Sequence, residues 1–244
     1  MSKARYYSLS LDAFTSELEA ALLDFYGAGV TIESSGSDLV FQCPAICDKT
    51  LMISRRAGHG NFRYLYGTVD GVAFSGGTAD FYSGSGACAP SVIHAVLADN
   101  FILIQHWDSG RVYMSSSILV AKVTSGRFLC MGAWQGDYGW SKCLFTDDLD
   151  VDRPVKFITP RTDITAQSNQ KMPCFKSAFT VGTELELNPD GSVAYIDGLY
   201  LSMLPDYVGM VGLNYYLSKS ILRGSNAQGV YMPNAFYVPI ELQE

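Results

Sequence analysis

The chain has 244 residues, of which 48% are hydrophobic and only 17% are charged. Disordered chains are polar and rich in charge, so this composition excludes intrinsic disorder and predicts a folded protein with a sizeable core. The formal net charge is −7, and the 17 Lys and Arg residues are scattered along the sequence. Because nucleic-acid binding needs a concentrated basic surface, DNA or RNA is not expected as the main ligand.

The charged fraction is also below the roughly 25% that is usual in a soluble domain. A surface with so few charges must be covered by small polar, aromatic and apolar side chains. Surfaces of that kind are commonly occupied by other protein chains. The composition therefore favours an oligomer or a larger assembly.

The N-terminus and the cysteines indicate a protein made in the cytoplasm. The first residues, MSKARYYSLSLDAF, lack the apolar segment of a secretory signal peptide. Six cysteines are widely spaced, which favours reduced, mostly buried thiols over the alternative of a disulfide framework. The most apolar long window, residues 91–107, is interrupted by His94, Asp99, Asn100 and His106, so no membrane association is expected.

Residues 10–26 predict an amphipathic helix. The apolar residues that recur at spacings of three and four, and so share one face, are Leu11, Phe14, Leu18, Leu22 and Phe25. Ser10 or Asp12 can cap the N-terminus, and Gly27 and Gly29 end the helix. A single amphipathic helix at the start of a β-rich chain is expected to pack on one face of a sheet.

The pattern then changes to short strands. Segments rich in β-branched and aromatic residues are Leu39–Cys43, Thr50–Ser54, Phe62–Gly67 and Phe101–Trp107. Gly67–Gly86 is rich in Gly and Ser, which predicts a long irregular loop. Such a loop either contacts a ligand or a neighbouring subunit, or is exposed without a partner.

The stretch Ile118–Trp134 predicts a β-hairpin at the centre of the protein. Two apolar runs, Ile118–Val123 and Phe128–Trp134, flank a short connection that contains Gly126. Both runs are apolar at successive positions, and a strand that is apolar on both faces is expected to be covered on both. We therefore expect other layers to pack above and below this hairpin.

The second half of the chain predicts further β structure. The acidic segment 147–154 is interpreted as a loose joint, and Thr159–Lys171 as an extended polar loop. Residues 184–196 predict a hairpin around the turn Asn188-Pro189-Asp190-Gly191. Two prolines in the tail Gly229–Leu242 favour an edge position for it. The predicted fold is mainly β (α+β): one domain, residues 1–244, of β-sandwich-like antiparallel sheets with the helix packed on a sheet.

Cys43 and Cys47 come closest to a zinc-binding pair. A structural zinc site needs four Cys or His ligands in two clusters. The sequence offers no second pair, and His59 would supply only a third ligand. Thiols that bind no metal are therefore favoured, and no zinc is expected.

The aspartates Asp148, Asp150 and Asp152 resemble the start of a calcium-binding loop. The sixth position of that loop needs glycine for its sharp turn and the twelfth needs glutamate. Here these positions hold Arg153 and Thr159. The segment is therefore interpreted as a solvated acidic turn, and no metal ion is expected.

No catalytic residues are predicted. The histidines His59, His94 and His106 belong to no metalloprotease pattern, and the sequence contains no G-x-S-x-G elbow. The Ser-Gly-Ser-Gly run at 83–86 lacks the lysine of a phosphate-binding loop. A hydrolase with paired carboxylates stays an alternative, because spacing alone does not reveal such a pair. We predict that the protein is not an enzyme and needs no cofactor.

Three features in chain order resemble the virion structural proteins of tailed bacteriophages, of the kind encoded among head–tail and tail genes. They are the helix, glycine and strand of Ser10–Ile32; the aromatic-basic strand Ile53–Gly67 with the block Ile118–Tyr138; and Asp197-Gly198-Leu199-Tyr200 with Tyr231 and the ending Phe236–Ile240. The chain departs from the family in having fewer prolines and aromatics after Gly136. The resemblance implies a non-enzymatic part of the virion in the neck, collar or tail, and it implies no catalytic residues.

The predicted function is therefore that of an oligomeric virion ring subunit. Its expected partners are copies of itself and neighbouring neck or tail proteins, since ring subunits make heterologous contacts with one another. The predicted interface residues are Phe74, Phe81, Tyr82, Trp134, Tyr138, Trp140, Tyr231, Phe236 and Tyr237. The alternative is a receptor- or carbohydrate-binding β-sandwich module of a phage tail, in which the aromatic rings of segment 134–140 stack on sugars. Aromatics that fill the core are the third interpretation.

Overall fold

The computed structural model describes residues 3–57, 63–74, 92–107, 115–135, 141–145, 148–153, 155–158, 174–181, 184–202, 210–212, 215–217, 222–225 and 231–241. Within them one α-helix, α1 (Phe14–Tyr26), is followed by a 3-10 turn at Gly27–Gly29. Everything else that is regular is β-strand, so the predicted fold class, mainly β with one N-terminal helix, is confirmed.

The strands of the first half are β1 (Ala4–Leu9), β2 (Thr31–Ser35), β3 (Asp38–Cys43), β4 (Cys47–Ala57), β5 (Arg63–Val69), β6 (Val72–Ala73), β7 (Val92–Ala98), β8 (Phe101–Trp107), β9 (Ser115–Lys122) and β10 (Phe128–Gln135). Those of the second half are β11 (Ser141–Phe145), β12 (Asp148–Arg153), β13 (Val155–Ile158), β14 (Cys174–Val181), β15 (Glu184–Leu185), β16 (Tyr195–Ser202), β17 (Met210–Gly212), β18 (Tyr215–Leu217), β19 (Leu222–Ser225) and β20 (Tyr231–Pro239).

The strands form three sheets in which all the described strand pairs are antiparallel. The central sheet has seven strands in the order β1-β7-β8-β9-β10-β11-β12. A five-stranded sheet is a simple meander from β2 to β6. An eight-stranded sheet has the order β13-β14-β16-β20-β18-β17, with β15 paired to β14 and β19 paired to β20. The central sheet, which runs from β1 at one edge to β12 at the other, lies between an N-terminal layer and a C-terminal layer.

Two hydrophobic cores lie on opposite faces of the central sheet. The N-terminal core joins the central sheet to α1 and to the five-stranded sheet. The C-terminal core joins the central sheet to residues of the eight-stranded sheet, among them Ile196, Leu199 and Val238. A three-layer arrangement of this kind explains why so few charged residues are found in the strands at its centre, because those strands meet no water on either face.

The hairpin of β9 and β10 is at the centre of this arrangement, as its sequence predicts. The residues that point into the C-terminal core are Leu119, Ala121, Leu129 and Met131. Those that point into the N-terminal core are Ile118, Val120, Phe128 and Cys130. All eight are buried, and alternate residues of a strand face opposite sides of a sheet. The expectation of cover on both faces is confirmed.

The helix packs on the N-terminal core through the predicted face, of which Phe14, Leu18 and Leu22 are buried. The hydroxyl of Tyr26 donates to the carbonyl oxygen of Ala98 at 2.7 Å and so joins the end of α1 to the central sheet. The predicted start of the helix was wrong, because α1 begins at Phe14, after residue 13, which makes no side-chain capping bond.

Ser10 does not cap the helix with its side chain; it contributes its backbone N–H as a donor instead. Its backbone N–H donates to the Glu17 carboxylate at 2.5 Å. This contact spans seven residues and joins the segment ahead of the helix to an acidic side chain of its first turn. Gly27, with φ of +54°, ends α1 as predicted.

The predicted irregular loop Gly67–Gly86 was wrong at its beginning. Strand β5 continues through Gly67 to Val69, and β6 pairs back on it across Asp70-Gly71. Both turn residues have positive φ, 45° and 81°, which is the conformation of a two-residue hairpin turn. The Gly-Ser composition of the segment hid this Asp-Gly signal. The remainder of the loop, from residue 75, lies outside the described residues.

The acidic segment 147–154 contains a strand and not the solvated turn expected from its composition, while a loose joint there stays a prediction. Residues 148–153 form β12, which pairs with β11 at the edge of the central sheet. Here Asp alternates with Leu149 and Val151, which is the period-two pattern of a strand, and the acidic composition obscured it. A calcium-binding loop is not expected here, because Arg153 and Thr159 occupy the positions that need glycine and glutamate. The polar segment Thr159–Lys171 lies outside the described residues.

The C-terminal tail is also not at an edge. Strand β20 lies between β16 and β18 in the eight-stranded sheet. The residues paired with β16 are 235–237, and Pro233 and Pro239 lie outside that run. The two prolines pair instead with Arg223 of β19 and Tyr215 of β18, so within the described residues each has a ladder partner on one side only. Beyond the strand, the Glu241 N–H donates to the Ala4 carbonyl oxygen at 2.7 Å, so the tail also reaches β1.

The predicted turn at 188–191 is present. The Asn188 N–H donates to the Ser192 carbonyl oxygen at 2.7 Å, and Gly191 has φ of +81°. Its flanking strands are shorter than predicted, because only Leu187 and Val193 form a bridge across the turn. Residues 184–185 pair with β14 instead.

Candidate functional site

Phe74 does not belong to the predicted interface. Its side chain is fully buried in the N-terminal core. The ring lies against Gly67, so closely that a Cβ built on that glycine would be 2.5 Å from the ring atom Cζ. A side chain held in this way within its own chain offers no surface to another subunit, and the prediction for Phe74 was wrong.

The other eight predicted interface residues are described only in part. The backbone of Trp134 lies in β10, opposite Ser116 of β9, and the backbones of Tyr231, Phe236 and Tyr237 lie in β20. The remaining four, which lie outside the described residues, are Phe81, Tyr82, Tyr138 and Trp140. An interface role for these eight stays a prediction.

A pocket of about 510 Å³ lies at the N-terminal end of α1, against the turn between β2 and β3. Its lining is Leu11, Asp12, Ala13, Phe14, Thr15, Ser16, Glu19, Ser34, Gly36, Ser37 and Arg55. The sequence did not point to this pocket, because its walls come from three segments that only the fold brings together.

The polar groups of the pocket hold its own walls together. Arg55 Nη1 donates to the Leu11 carbonyl oxygen at 2.5 Å, and Ser34 Oγ donates to Glu19 Oε2 at 2.8 Å. Thr15 Oγ1 donates to the Ser37 carbonyl oxygen at 3.3 Å. The lining contains no His, Cys or Lys side chain.

A second polar cluster lies where the central hairpin meets the C-terminal layer. Arg127 Nη1 is 2.9 Å from Glu186 Oε2, and the guanidinium carbon lies 4.1 Å from the centre of the Phe145 ring. Ser125 donates its hydroxyl to the other carboxylate oxygen of Glu186, also at 2.9 Å. Because Glu186 is only 9% exposed, these donors replace the hydrogen bonds that water would otherwise make to its carboxylate. The cluster fastens two layers together.

The neighbouring contact has the same role. Thr124 Oγ1 donates to Asn188 Oδ1 at 2.6 Å and accepts the Tyr195 N–H at 3.1 Å. The Thr124 N–H in turn donates to the Tyr195 carbonyl oxygen at 3.0 Å. The turn of the central hairpin is therefore clamped to residues 186–195. The sequence signal for this pairing is absent, since about 60 residues separate the partners.

His94 is engaged by Tyr6, whose hydroxyl lies 2.7 Å from Nδ1 of the imidazole. The two residues lie on adjacent strands, β7 and β1, and their rings are tilted at 5.7 Å. Burial raises the pKa of Tyr6. Here the imidazole contacts a neutral phenol, which is typical of a polar contact at the border of a core.

A carboxylate of the helix is shared by two side chains of β1. Arg5 Nη1 and the Tyr7 hydroxyl lie 2.7 and 2.8 Å from the same oxygen of Asp24. The bond from Tyr7, followed by that from Arg5, lowers the pKa of Asp24. Burial, followed by the bond to Asp24, raises the pKa of Tyr7 to about 12. This triad joins α1 to the edge of the central sheet.

Three of the described cysteines, Cys43, Cys47 and Cys130, are buried and are not joined in disulfides. This agrees with the expectation of reduced, buried thiols for those three. Burial raises the pKa of Cys43 to about 11 and that of Cys47 to about 12. Within the described part of the chain, no three His, Cys, Asp or Glu side chains are grouped as a metal ion would need. Nor does that part contain a helix long and apolar enough to cross a bilayer.

Comparison of the chain with protein-family models, with curated protein sequences and with solved structures finds no match. The functional argument therefore depends on the residues themselves. The polar clusters described above join β-layers or join the helix to them, and two large apolar side chains near the 188–191 turn, Leu185 and Leu187, are about half exposed, at 49% and 48%.

Proposed function

We propose that the protein is a non-enzymatic structural subunit of a tailed-phage virion, one of the copies that form a ring in the neck, collar or tail. It would be made in the host cytoplasm and incorporated into the particle. The observation that carries the proposal is the burial of the central sheet between two cores. A subunit built in this way keeps its shape without help from a neighbour, and its loops and outer strands are available for contacts with other chains.

The use of polar side chains supports a mechanical role. In the pocket at the start of α1 and in the Arg127–Glu186 cluster, the hydrogen bonds connect parts of the same fold. Enzymes instead group ionisable side chains around a space that a substrate can enter. The sparse charge of the chain supports the same conclusion, as does the resemblance of three sequence features, taken in chain order, to virion structural proteins.

Contacts between copies need apolar surface that the isolated chain leaves open. Leu185 and Leu187 are side chains of this kind, and alternate residues of an extended segment share one face. Exposed apolar side chains that lie side by side are suited to a contact with another chain. Substitution of these two leucines therefore tests whether this surface lies between subunits of the ring.

Native mass spectrometry of the purified chain over a range of concentrations, together with electron microscopy, tests the proposal. We expect a closed oligomer of one size, and a shift towards smaller species for the double variant Leu185→Ser with Leu187→Ser. Leu23→Ser, which changes a leucine that is 46% exposed on α1, is the matched control. A chain that stays strictly monomeric and is absent from purified particles would refute the ring.

The alternative, a receptor- or carbohydrate-binding module, depends on the aromatic segment that follows β10. In that case Trp134 and the neighbouring aromatic residues bind glycans by stacking. Titration of the protein with glycans while tryptophan fluorescence is recorded separates the two functions. Saturable quenching by one glycan class favours the module, whereas a blank glycan array with an oligomeric mass favours the ring.

A further inference from the structure

Two cysteines lie directly opposite each other at the first hairpin of the five-stranded sheet. Cys43 is the last residue of β3 and Cys47 the first of β4, and their Cα atoms are paired in the ladder. The turn between them is closed by a hydrogen bond from the Ile46 N–H to the Cys43 carbonyl oxygen, at 2.9 Å. Both thiols point into the N-terminal core, with exposures of 0% and 6%.

This placement matches the geometry of a disulfide. Residues that face each other in an antiparallel pair have Cα atoms about 4.5 to 5.5 Å apart. A disulfide joins Cα atoms that are about 4.4 to 6.8 Å apart, with both Cβ atoms on the same side. The pairing of β3 with β4 continues for five more residue pairs after a register shift between Gln42 and Cys43, so the cysteine pair closes the ladder at its turn end. A bond between the two sulfurs therefore needs side-chain rotation and no rearrangement of the sheet.

We propose that Cys43 and Cys47 form an intramolecular disulfide when the protein meets a low-molecular-weight disulfide such as oxidised glutathione. Cys47, the more exposed thiol, attacks one sulfur of the reagent, and its proton leaves with the departing thiol. Cys43 then attacks the Cys47 sulfur of the mixed disulfide, and its proton passes through solvent to the second reagent sulfur, which leaves as a thiol. Two protein thiols are oxidised, one reagent disulfide is reduced to two thiols, and one sulfur–sulfur bond closes across the hairpin.

The reduced pair is stable for an identifiable reason. The Sγ of Cys47 lies 3.4 Å from the Lys49 N–H, which donates to it, and closure replaces this hydrogen bond. Both thiols are protonated at neutral pH, because burial holds their pKa values well above that of a free cysteine. Closure is therefore slow at neutral pH, and an excess of reducing thiols reverses it. The inference does not depend on the proposed virion role.

Cys130 provides the matched comparison within the same core. It is buried to the same degree as Cys43, and its cross-strand neighbours are Val120 of β9 and Leu144 of β11. Neither neighbour carries sulfur. If burial alone determined how a thiol reacts with the reagent, Cys130 and Cys43 would react alike. Cys43 differs because it has a second cysteine, Cys47, opposite it.

The experiment uses the native full-length chain. The protein is incubated with oxidised glutathione, quenched with acid, unfolded, alkylated with iodoacetamide and digested with trypsin. Cleavage after Arg5 and Lys49 gives a peptide, residues 6–49, that contains both cysteines and no other. Cleavage after Arg127 and Lys142 gives residues 128–142, with Cys130 as the one cysteine. Mass spectrometry then reads the two sites from a single sample.

We expect the 6–49 peptide to lose the mass of two hydrogen atoms and both alkylation sites, while the 128–142 peptide stays alkylated. Dithiothreitol should restore both sites, and a Cys130→Ala variant should behave in the same way. A 6–49 peptide that keeps two alkyl groups, carries glutathione, or is linked to another peptide overturns the proposal. Cys43→Ala should abolish closure, and if that variant does not fold, the wild-type measurement still decides.

Discussion

The burial of the central hairpin on both faces makes a quantitative prediction. Ile118 and Leu119 are neighbours in β9, both fully buried, with side chains in the N-terminal and C-terminal cores respectively. Substitution of either by alanine removes several methyl and methylene groups and leaves a cavity. Large-to-small changes of this kind cost about 2 to 5 kcal/mol of the free energy of unfolding. For a chain of this length each kcal/mol lowers the melting temperature by about 2 to 4 °C, so a fall of about 4 to 20 °C is expected.

Urea unfolding followed by circular dichroism measures these costs. Ile118→Ala and Leu119→Ala should each lower the midpoint, and Lys122→Ala, at an exposed position of the same strand, should change the free energy of unfolding by less than about 0.5 kcal/mol. The comparison tests each face separately, because adjacent residues point to opposite sides. If either core variant loses less than about 1 kcal/mol, that face is open to water and the three-layer arrangement is refuted.

Three further predictions concern single contacts. Gly67→Ala should cost about 1 to 3 kcal/mol by urea unfolding, because the new Cβ would meet the ring of Phe74, and an equally stable variant would contradict that contact. Arg127→Ala should lower stability by about 1 to 3 kcal/mol, since it leaves the buried Glu186 carboxylate without its ion pair; Glu186→Gln, which keeps an acceptor, should cost less. The raised pKa of Tyr7, about 12 against an ordinary 10.0, means that its contribution to stability is complete below pH 10 and is lost as the pH rises towards 12. Tyr7→Phe should therefore make the alkaline fall in stability shallower, and an unchanged pH profile would be evidence against this shift.

Much of the local structure could be predicted from the sequence because its causes are local. The spacing of Phe14, Leu18 and Leu22 predicts a helix whatever the rest of the chain does. The two apolar runs around Gly126 predict a hairpin, and their successive apolar residues predict cover on both faces. Helix α1 and strands β9 and β10 confirm these three expectations.

The errors arose where composition competed with a weaker positional pattern. The Asp-Gly turn before β6 was hidden by the glycines and serines around it, and Phe74 was consequently assigned to a surface loop. The acidic residues of β12 hid an alternating strand pattern. The prolines of β20 suggested an edge, although both lie outside the residues paired with β16. For β6 and β12 the partner is the preceding strand, and composition obscured the local pattern, whereas the partners of β20 are distant in sequence and leave no local trace.

The residues of the described polar clusters were not predicted for the same reason. Arg127 and Glu186 are 59 residues apart, and Tyr6 and His94 are 88 apart. Neither pair forms a motif with fixed spacing. Cys43 and Cys47, by contrast, are close enough in sequence to be noticed, but the sequence presented them as an incomplete metal site. The strand register shows that they oppose each other, which is the relation that disulfide chemistry needs.

The sequence by itself determined that this chain is mainly β with one amphipathic helix, and that a doubly apolar hairpin lies at its centre. Periodicity and composition act within a few residues, so they are sufficient for those conclusions. The tertiary structure alone decided which layer each face meets, because the two cores are assembled from segments far apart in the chain. It also decided which polar groups face each other, since a hydrogen bond depends on distances of a few ångströms that only the packed layers fix.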